Sequence, residues 1–175
     1  MVFRFKIISD QVGDFVLHIN TDANHTFLQL HKAIQLACRF DQSELATFFW
    51  ADEEWDKILE IPMQTKGINP RLALRSMKQV KLGELLKEQE LNLIYVFDIR
   101  NQKSLYIRIK GIDPEKQLRV PILVQKIGNA PLQHSFNEDD SDLLSDQDLA
   151  NQIDYSDFGE LEDLDLIYGE AEEVK

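Results

Sequence analysis

Four carboxylates, Asp52, Glu53, Glu54 and Asp56, surround the indole of Trp55. Paired carboxylates do acid–base chemistry when an apolar pocket raises the pKa of one of them. A run of four between two β-forming segments reads instead as a solvated turn, with Trp50 and Trp55 as core or rim aromatics. Asp98 closes the apolar stretch 93–97, where an aspartate is expected to accept backbone N–H bonds from the following turn. His18, His25 and His31 lie close together with Asp22 between them. Metal sites favour tighter spacing, such as i, i+4 on one helix. Here a strand, a turn and a helix would each supply one ligand, so no metal site is expected. His31, beside Leu30, is expected to be partly buried and bonded to a neighbouring carbonyl. The single Cys38 falls on the apolar side of a helix and reads as a small buried hydrophobe. The seven glycines are never closer than ten positions apart, which leaves no glycine-rich phosphate loop. There is no G-x-S-x-G elbow either. No catalytic residue, cofactor or metal ligand is assigned.

The elements that must position these side chains follow from periodicity. Residues 2–8 alternate as a strand, 15–19 form a second, and the short link with Gly13 makes a hairpin. Thr26 is placed to cap a helix running to about residue 39, with Phe27, Leu30, Ile34 and Ala37 at helical spacing. Residues 46–50 and 58–61 are strands, the latter ended by Pro62. Residues 64–78 have no period and read as a loop or insertion. A short second helix is expected near 82–88. Residues 91–98, 104–110 and 118–125 are three further strands, the last at an edge or bulged at Pro121. The fold class is α+β: a mostly antiparallel sheet with one main helix (about 26–39) packed on it. The opening ββα leaves a β-grasp-like arrangement as a lesser option.

The formal charge of −12 over 175 residues is unevenly distributed. Residues 137–175 carry fifteen Asp and Glu against one Lys, a net −14, whereas residues 1–136 come to +2. The chain therefore divides into a near-neutral domain, 1–136, and an acidic segment, 137–175, expected to be flexible. Basic residues gather at 66–87, including Arg71, Arg75 and Lys78, and again at 100–126, as a basic surface or as an ordinary solvent face. The acidic segment is not purely polar. Phe158, Leu161, Leu164 and Tyr168 fit one face of a short helix that would form only against a partner. A lone cysteine excludes an intramolecular disulfide and points to a reducing, cytoplasmic setting. The apolar stretch 91–97 is too short to span a bilayer, so no membrane role is expected. The start of the chain, with Arg4 and Lys6 inside its apolar run, does not read as a signal peptide.

Residues 26–35 (TFLQLHKAIQ) resemble the "tl-dLH-aIq" segment of the plasmid pRiA4b ORF-3-like family. Residues 44–49 stand where that family has a "HLh-F" strand, without its histidine. Residues 93–98 match the first half of the family's "Y-YDFGD-W-H" strand and turn, with Ile99-Arg100-Asn101 in place of FGD. The late "G-PPEd-GG" segment is echoed only around Pro131. The resemblance covers roughly residues 1–135. It implies an α+β domain and a loose link with mobile elements, and no established activity. Its matched positions of unknown role are Leu30, His31, Tyr95, Asp98 and Pro131.

Two functions are expected from these features. The first is a non-enzymatic interaction protein, with the domain as scaffold and the acidic segment as a partner-binding or autoinhibitory element. In this reading Phe158, Leu161, Leu164 and Tyr168, or the basic Arg71, Arg75 and Lys78, make the contacts with an unknown protein partner. The alternative is nucleic-acid binding by the domain, linked to mobile elements, with the acidic segment as an internal phosphate mimic.

Overall fold

A computed structural model describes residues 1–64, 75–86 and 92–133. Seven strands form one sheet: β1 (Val2–Ser9), β2 (Val16–Asp22), β3 (Thr47–Ala51), β4 (Lys57–Pro62), β5 (Asn92–Asp98), β6 (Lys103–Asp113) and β7 (Ile122–Ile127). Their order across the sheet is β4-β3-β5-β6-β1-β2-β7, and every pairing is antiparallel. The α+β expectation holds, and the uniformly antiparallel pairing rules out the β-grasp option. Helix α1 (Phe27–Cys38) lies on one face of the sheet.

Alternation decides what each face carries. Phe3, Phe5 and Ile7 of β1, Leu93, Tyr95 and Phe97 of β5, and Leu105, Ile107 and Ile109 of β6 join Phe27, Leu30 and Ile34 of α1 in the main core. Aromatic rings interlock there. Phe48 lies edge-on to Phe27 at 5.3 Å and 4.8 Å from Tyr95, and Phe40 stacks on Phe97 at 4.6 Å. Each fully buried side chain of this kind stabilises the fold by about 1.5–3 kcal/mol.

Helix α1 starts as the sequence predicts. Thr26 accepts the Gln29 N–H on its hydroxyl, and the Gln29 side chain accepts the Thr26 N–H, a reciprocal capping box. The next two orphan donors, Phe27 N–H and Leu28 N–H, are taken by the carbonyls of Val80 and Met77. Thus the segment 75–80 is stitched to the start of α1 and adds Met77 and Val80 to the core. Residues 65–74 of the expected loop lie outside the described residues.

The expected short second helix is α2 (Leu82–Leu85), after which Leu86 turns out of helical geometry at φ −95°, ψ 62°; residues 87 and 88 lie outside the described residues. One expectation needs correction: the last strand begins at Ile122, not at 118. Residues 118 and 119 instead close against the β2–α1 turn, where Leu118 N–H donates to Asp22 and the Arg119 carbonyl faces His25 Nε2 at 3.0 Å. Pro121, which has no N–H to give a ladder, precedes β7, and β7 is an edge strand as expected.

Candidate functional site

The face of the sheet turned away from α1 is built by the other half of the same alternation. Lys6 and Ile8 of β1, Tyr106, Arg108 and Lys110 of β6, and Trp55 line a groove of about 220 Å³ on it. The register brings the cations together. Lys6 sits directly opposite Arg108 on one side and opposite His18 of β2 on the other. A register shift between Arg4 and Phe5 leaves Lys110 with no residue across from it, so Lys110 adds a charge to the same patch. The Arg4 guanidinium lies over the α-carbon of Gly111, a position that any side chain would fill, and pairs with Asp113 at 3.8 Å. Like charges directly opposite each other cost stability in a sheet. Among the described residues, no carboxylate lies within ion-pairing distance of Lys6, Arg108 or Lys110. Burial holds the pKa of His18 below its ordinary value, and the charges of Lys6 and Lys110 depress it further.

Trp55 reaches this face from the β3–β4 turn. Asp52 and Asp56 tie the turn together: Asp56 N–H donates to the Asp52 carboxylate at 2.8 Å and Asp52 N–H to the Asp56 carbonyl at 3.1 Å. Asn92 of β5 donates to the Asp52 carbonyl at 2.7 Å and anchors the turn to the sheet. Trp55 itself adopts φ 70°, left-handed geometry that a bulky residue rarely takes. This turns its indole onto the sheet, edge-to-face with Tyr106 at 5.0 Å, with the Arg108 guanidinium 5.0 Å from its ring. At one end of the groove the Tyr106 hydroxyl is 3.4 Å from Asp10. Burial and the Asp10 charge raise its pKa, so it keeps its proton. The arrangement offers three cations and a half-buried aromatic pair to a ligand that is anionic and planar. The four carboxylates around Trp55 lie in a turn, as expected, with Glu53, Glu54 and Asp56 exposed and Asp52 half-buried.

The other sequence-predicted residues fall elsewhere. Arg75 pairs with Glu84 at 2.7 Å, and Lys78 is exposed on the segment beside the start of α1. Arg71, Phe158, Leu161, Leu164 and Tyr168 lie outside the described residues. Of the family-matched positions, Leu30 is core, Pro131 is buried, and Asp98 accepts the Asn101 N–H at 3.1 Å, the turn role expected of it. Burial works against the Asp98 charge, but the Asn101 hydrogen bonds and Lys103 hold its carboxyl below the usual range.

His31 and Tyr95, from two separate motifs, meet inside the core: the Tyr95 hydroxyl is 2.9 Å from His31 Nδ1. This corrects the expectation of a partly buried histidine bonded to a carbonyl, since His31 is 1% exposed and its partner is a side chain on the sheet. The three neighbouring histidines do not converge. His18 is on the open face, His31 is in the core, and His25 is clasped by Thr21 Oγ1 at 2.9 Å and Asp22 N–H at 3.1 Å. Cys38 is buried as expected, with its thiol pKa pushed up to about 12 by burial.

Sequence reasoning missed Lys6, Trp55 and Tyr106 as site residues. The available signal was two basic alternations, Arg4-x-Lys6 and Arg108-x-Lys110. Both strands put their odd-numbered residues in the core, so these cations share the opposite face.

The chain belongs to the plasmid pRiA4b ORF-3-like protein family, whose profile matches residues 6–136. The fold is similar to that of the crystal structure of a protein of unknown function, MM3350, from Methanosarcina mazei Go1. The TM-score is 0.56 at 23% identity, over 71% of this chain and 68% of the other. No curated protein matches the sequence. Among the described residues, no helix is long and apolar enough to cross a membrane.

Proposed function

We propose that this member of the pRiA4b ORF-3-like family binds single-stranded nucleic acid on the open face of its sheet and performs no catalysis there. The observation that carries the reading is the trio Lys6, Arg108 and Lys110, which no described carboxylate pairs, beside the half-buried Trp55–Tyr106 pair. Cations spaced along a strand track a phosphate backbone, and aromatic rings on a sheet give bases a stacking platform. An open sheet face suits splayed, unstacked bases better than a duplex, whose major groove admits a helix or a two-stranded ribbon. The repulsion between Lys6 and Arg108 is a standing cost that a bound phosphate would relieve. A reducing, cytoplasmic setting belongs to the same reading.

The test is fluorescence anisotropy of a labelled oligothymidine against the full chain at low salt. Lys6→Glu/Arg108→Glu is expected to weaken binding by more than about tenfold, as loss of two phosphate contacts requires. Trp55→Ala is expected to lose about tenfold through lost stacking. Lys78→Glu, away from the groove, is expected to leave affinity unchanged. Unaltered binding by a folded Lys6→Glu/Arg108→Glu protein would overturn the reading.

A second reading keeps a protein partner for the acidic segment. It is favoured by the large apolar residues set among the carboxylates of 137–175, including Phe158, Leu161, Leu164 and Tyr168, which a purely solvating tail does not need. Its test is a partner recovered with the full chain and lost with the Phe158→Ser/Leu161→Ser variant.

A further inference from the structure

We infer that the acidic segment 137–175 occupies the open-face groove of its own chain, led by Glu138, Asp139, Asp140 and Asp142. Its competition with nucleic acid rests on the function proposed above; the docking itself rests on the groove. Three observations meet here. The first is charge: the groove holds three cations that no described carboxylate neutralises, while the segment carries a net −14.

The second is where the described domain ends. The Leu132 carbonyl accepts a hydrogen bond from Lys103 Nζ at 3.1 Å, and the Gln133 side chain bonds the backbone of Asp41. Lys103 is the first residue of β6, three residues before Tyr106 at the near end of the groove. That separation is about 10 Å along the strand. Rounding the end of the sheet, about one layer thick, adds roughly another 10 Å. The extended Lys103 side chain and its hydrogen bond add up to roughly 9 Å, and nine extended residues, 134–142, span at most about 32 Å. The acidic cluster 138–142 therefore comes within reach of the groove.

The third is pattern. Leu143 and Leu144 follow the first acids directly, and the groove lining includes the exposed Ile8, at 39%, opposite Tyr106. A segment tethered this closely acts at an effective concentration in the millimolar range, so weak individual contacts suffice for docking. The tether also favours the chain's own segment over a second copy.

The experiment uses the full chain. A zero-length carbodiimide is applied at low protein concentration, and linked peptides are mapped by mass spectrometry. Monomers are expected to carry links from Lys6 or Lys110 to carboxylates among Glu138, Asp139, Asp140 and Asp142. The full-length variant Glu138→Gln/Asp139→Asn/Asp140→Asn/Asp142→Asn is expected to lose those links and to bind oligothymidine about tenfold more tightly. Links found only in dimers would make the occupant a second copy and overturn the proposal. An absence of such links, with equal oligothymidine affinity for the two proteins, would also overturn it. If the links form but neither protein binds oligothymidine, the docking stands and the nucleic-acid reading falls. If oligothymidine binds in a Lys6- and Arg108-dependent way without links or any gain on neutralisation, the reading stands and the docking falls.

Discussion

The imidazole of His31 sits in the core against the Tyr95 hydroxyl, and burial pushes its pKa down from 6.5 to about 4. The neutral ring shares a hydrogen bond with the tyrosine hydroxyl through Nδ1. In the unfolded chain the same histidine protonates near its ordinary value. Below pH 6.5 the unfolded state therefore binds more protons than the folded one, and stability drains away as pH falls toward 4. Above pH 6.5 this contribution is fully present. A shift of this size corresponds to roughly 3 kcal/mol across that window. Urea midpoints between pH 7.5 and pH 4.5 are expected to fall steeply for the natural chain. They are expected to fall less for His31→Leu/Tyr95→Phe, in which both partners become apolar. Tyr95→Phe alone leaves a buried ring nitrogen unpaired and is expected to cost about 1–3 kcal/mol at pH 7.5. The sequence placed His31 on the helix beside Leu30 and Tyr95 in the strand. It could not pair them, because the pairing depends on how α1 lies across a sheet whose strands come from distant segments. Asp98 was legible by contrast, since its partner Asn101 is three residues away.

Elements whose determinants are local were readable to within a residue or two. The cap of α1 is one: Thr26 and Gln29 satisfy each other, while Val80 and Met77 close the remaining donors. Thr26→Ala is expected to lower stability by about 1 kcal/mol, read as a shift in the urea midpoint. The turn after β7 is set by backbone geometry instead. Gly128 has φ 69°, and a Cβ there would stand 2.7 Å from the Asp14 carbonyl oxygen, which the backbone cannot move aside. Gly128→Ala is expected to cost about 1–3 kcal/mol. Gly13→Ala, in the β1–β2 link with nothing within 4 Å, is expected to change stability by less than about 0.5 kcal/mol. The site was less legible than the elements. Its parts come from β1, from the β3–β4 turn and from β6, some fifty residues apart at each step. Trp55 joins them only because its left-handed backbone tips the indole over the sheet. A carboxylate-rich turn gives no hint of that, so the indole read as a rim aromatic.

At the scale of the whole chain, the division between a +2 domain and a −14 segment makes salt the informative variable. A groove that holds about three phosphates releases about as many counterions, so the logarithm of the binding constant for a single strand should fall with the logarithm of salt at a slope near −2. That slope belongs to a groove that is open at the outset. If the acidic segment already lies in it, nucleic acid must displace a contact that salt weakens as well. Raising salt then loosens ligand and competitor together, and the two effects partly cancel. The full chain is expected to give a shallower slope than the Glu138→Gln/Asp139→Asn/Asp140→Asn/Asp142→Asn variant, with the two curves converging at high salt, where screening over a few ångströms removes the competitor. Anisotropy titrations of both proteins across a range of salt concentrations measure this directly. Parallel lines offset by a constant would mean that neutralising these acids acts through something other than a charge contact that salt screens. Superimposed lines would mean that they leave the groove untouched. Convergence from a shallower slope means that the segment's carboxylates oppose binding through charge, and the carbodiimide links to Lys6 or Lys110 then separate a competitor seated where the phosphates go from repulsion at a distance, because only a seated carboxylate comes close enough to be joined to those amines.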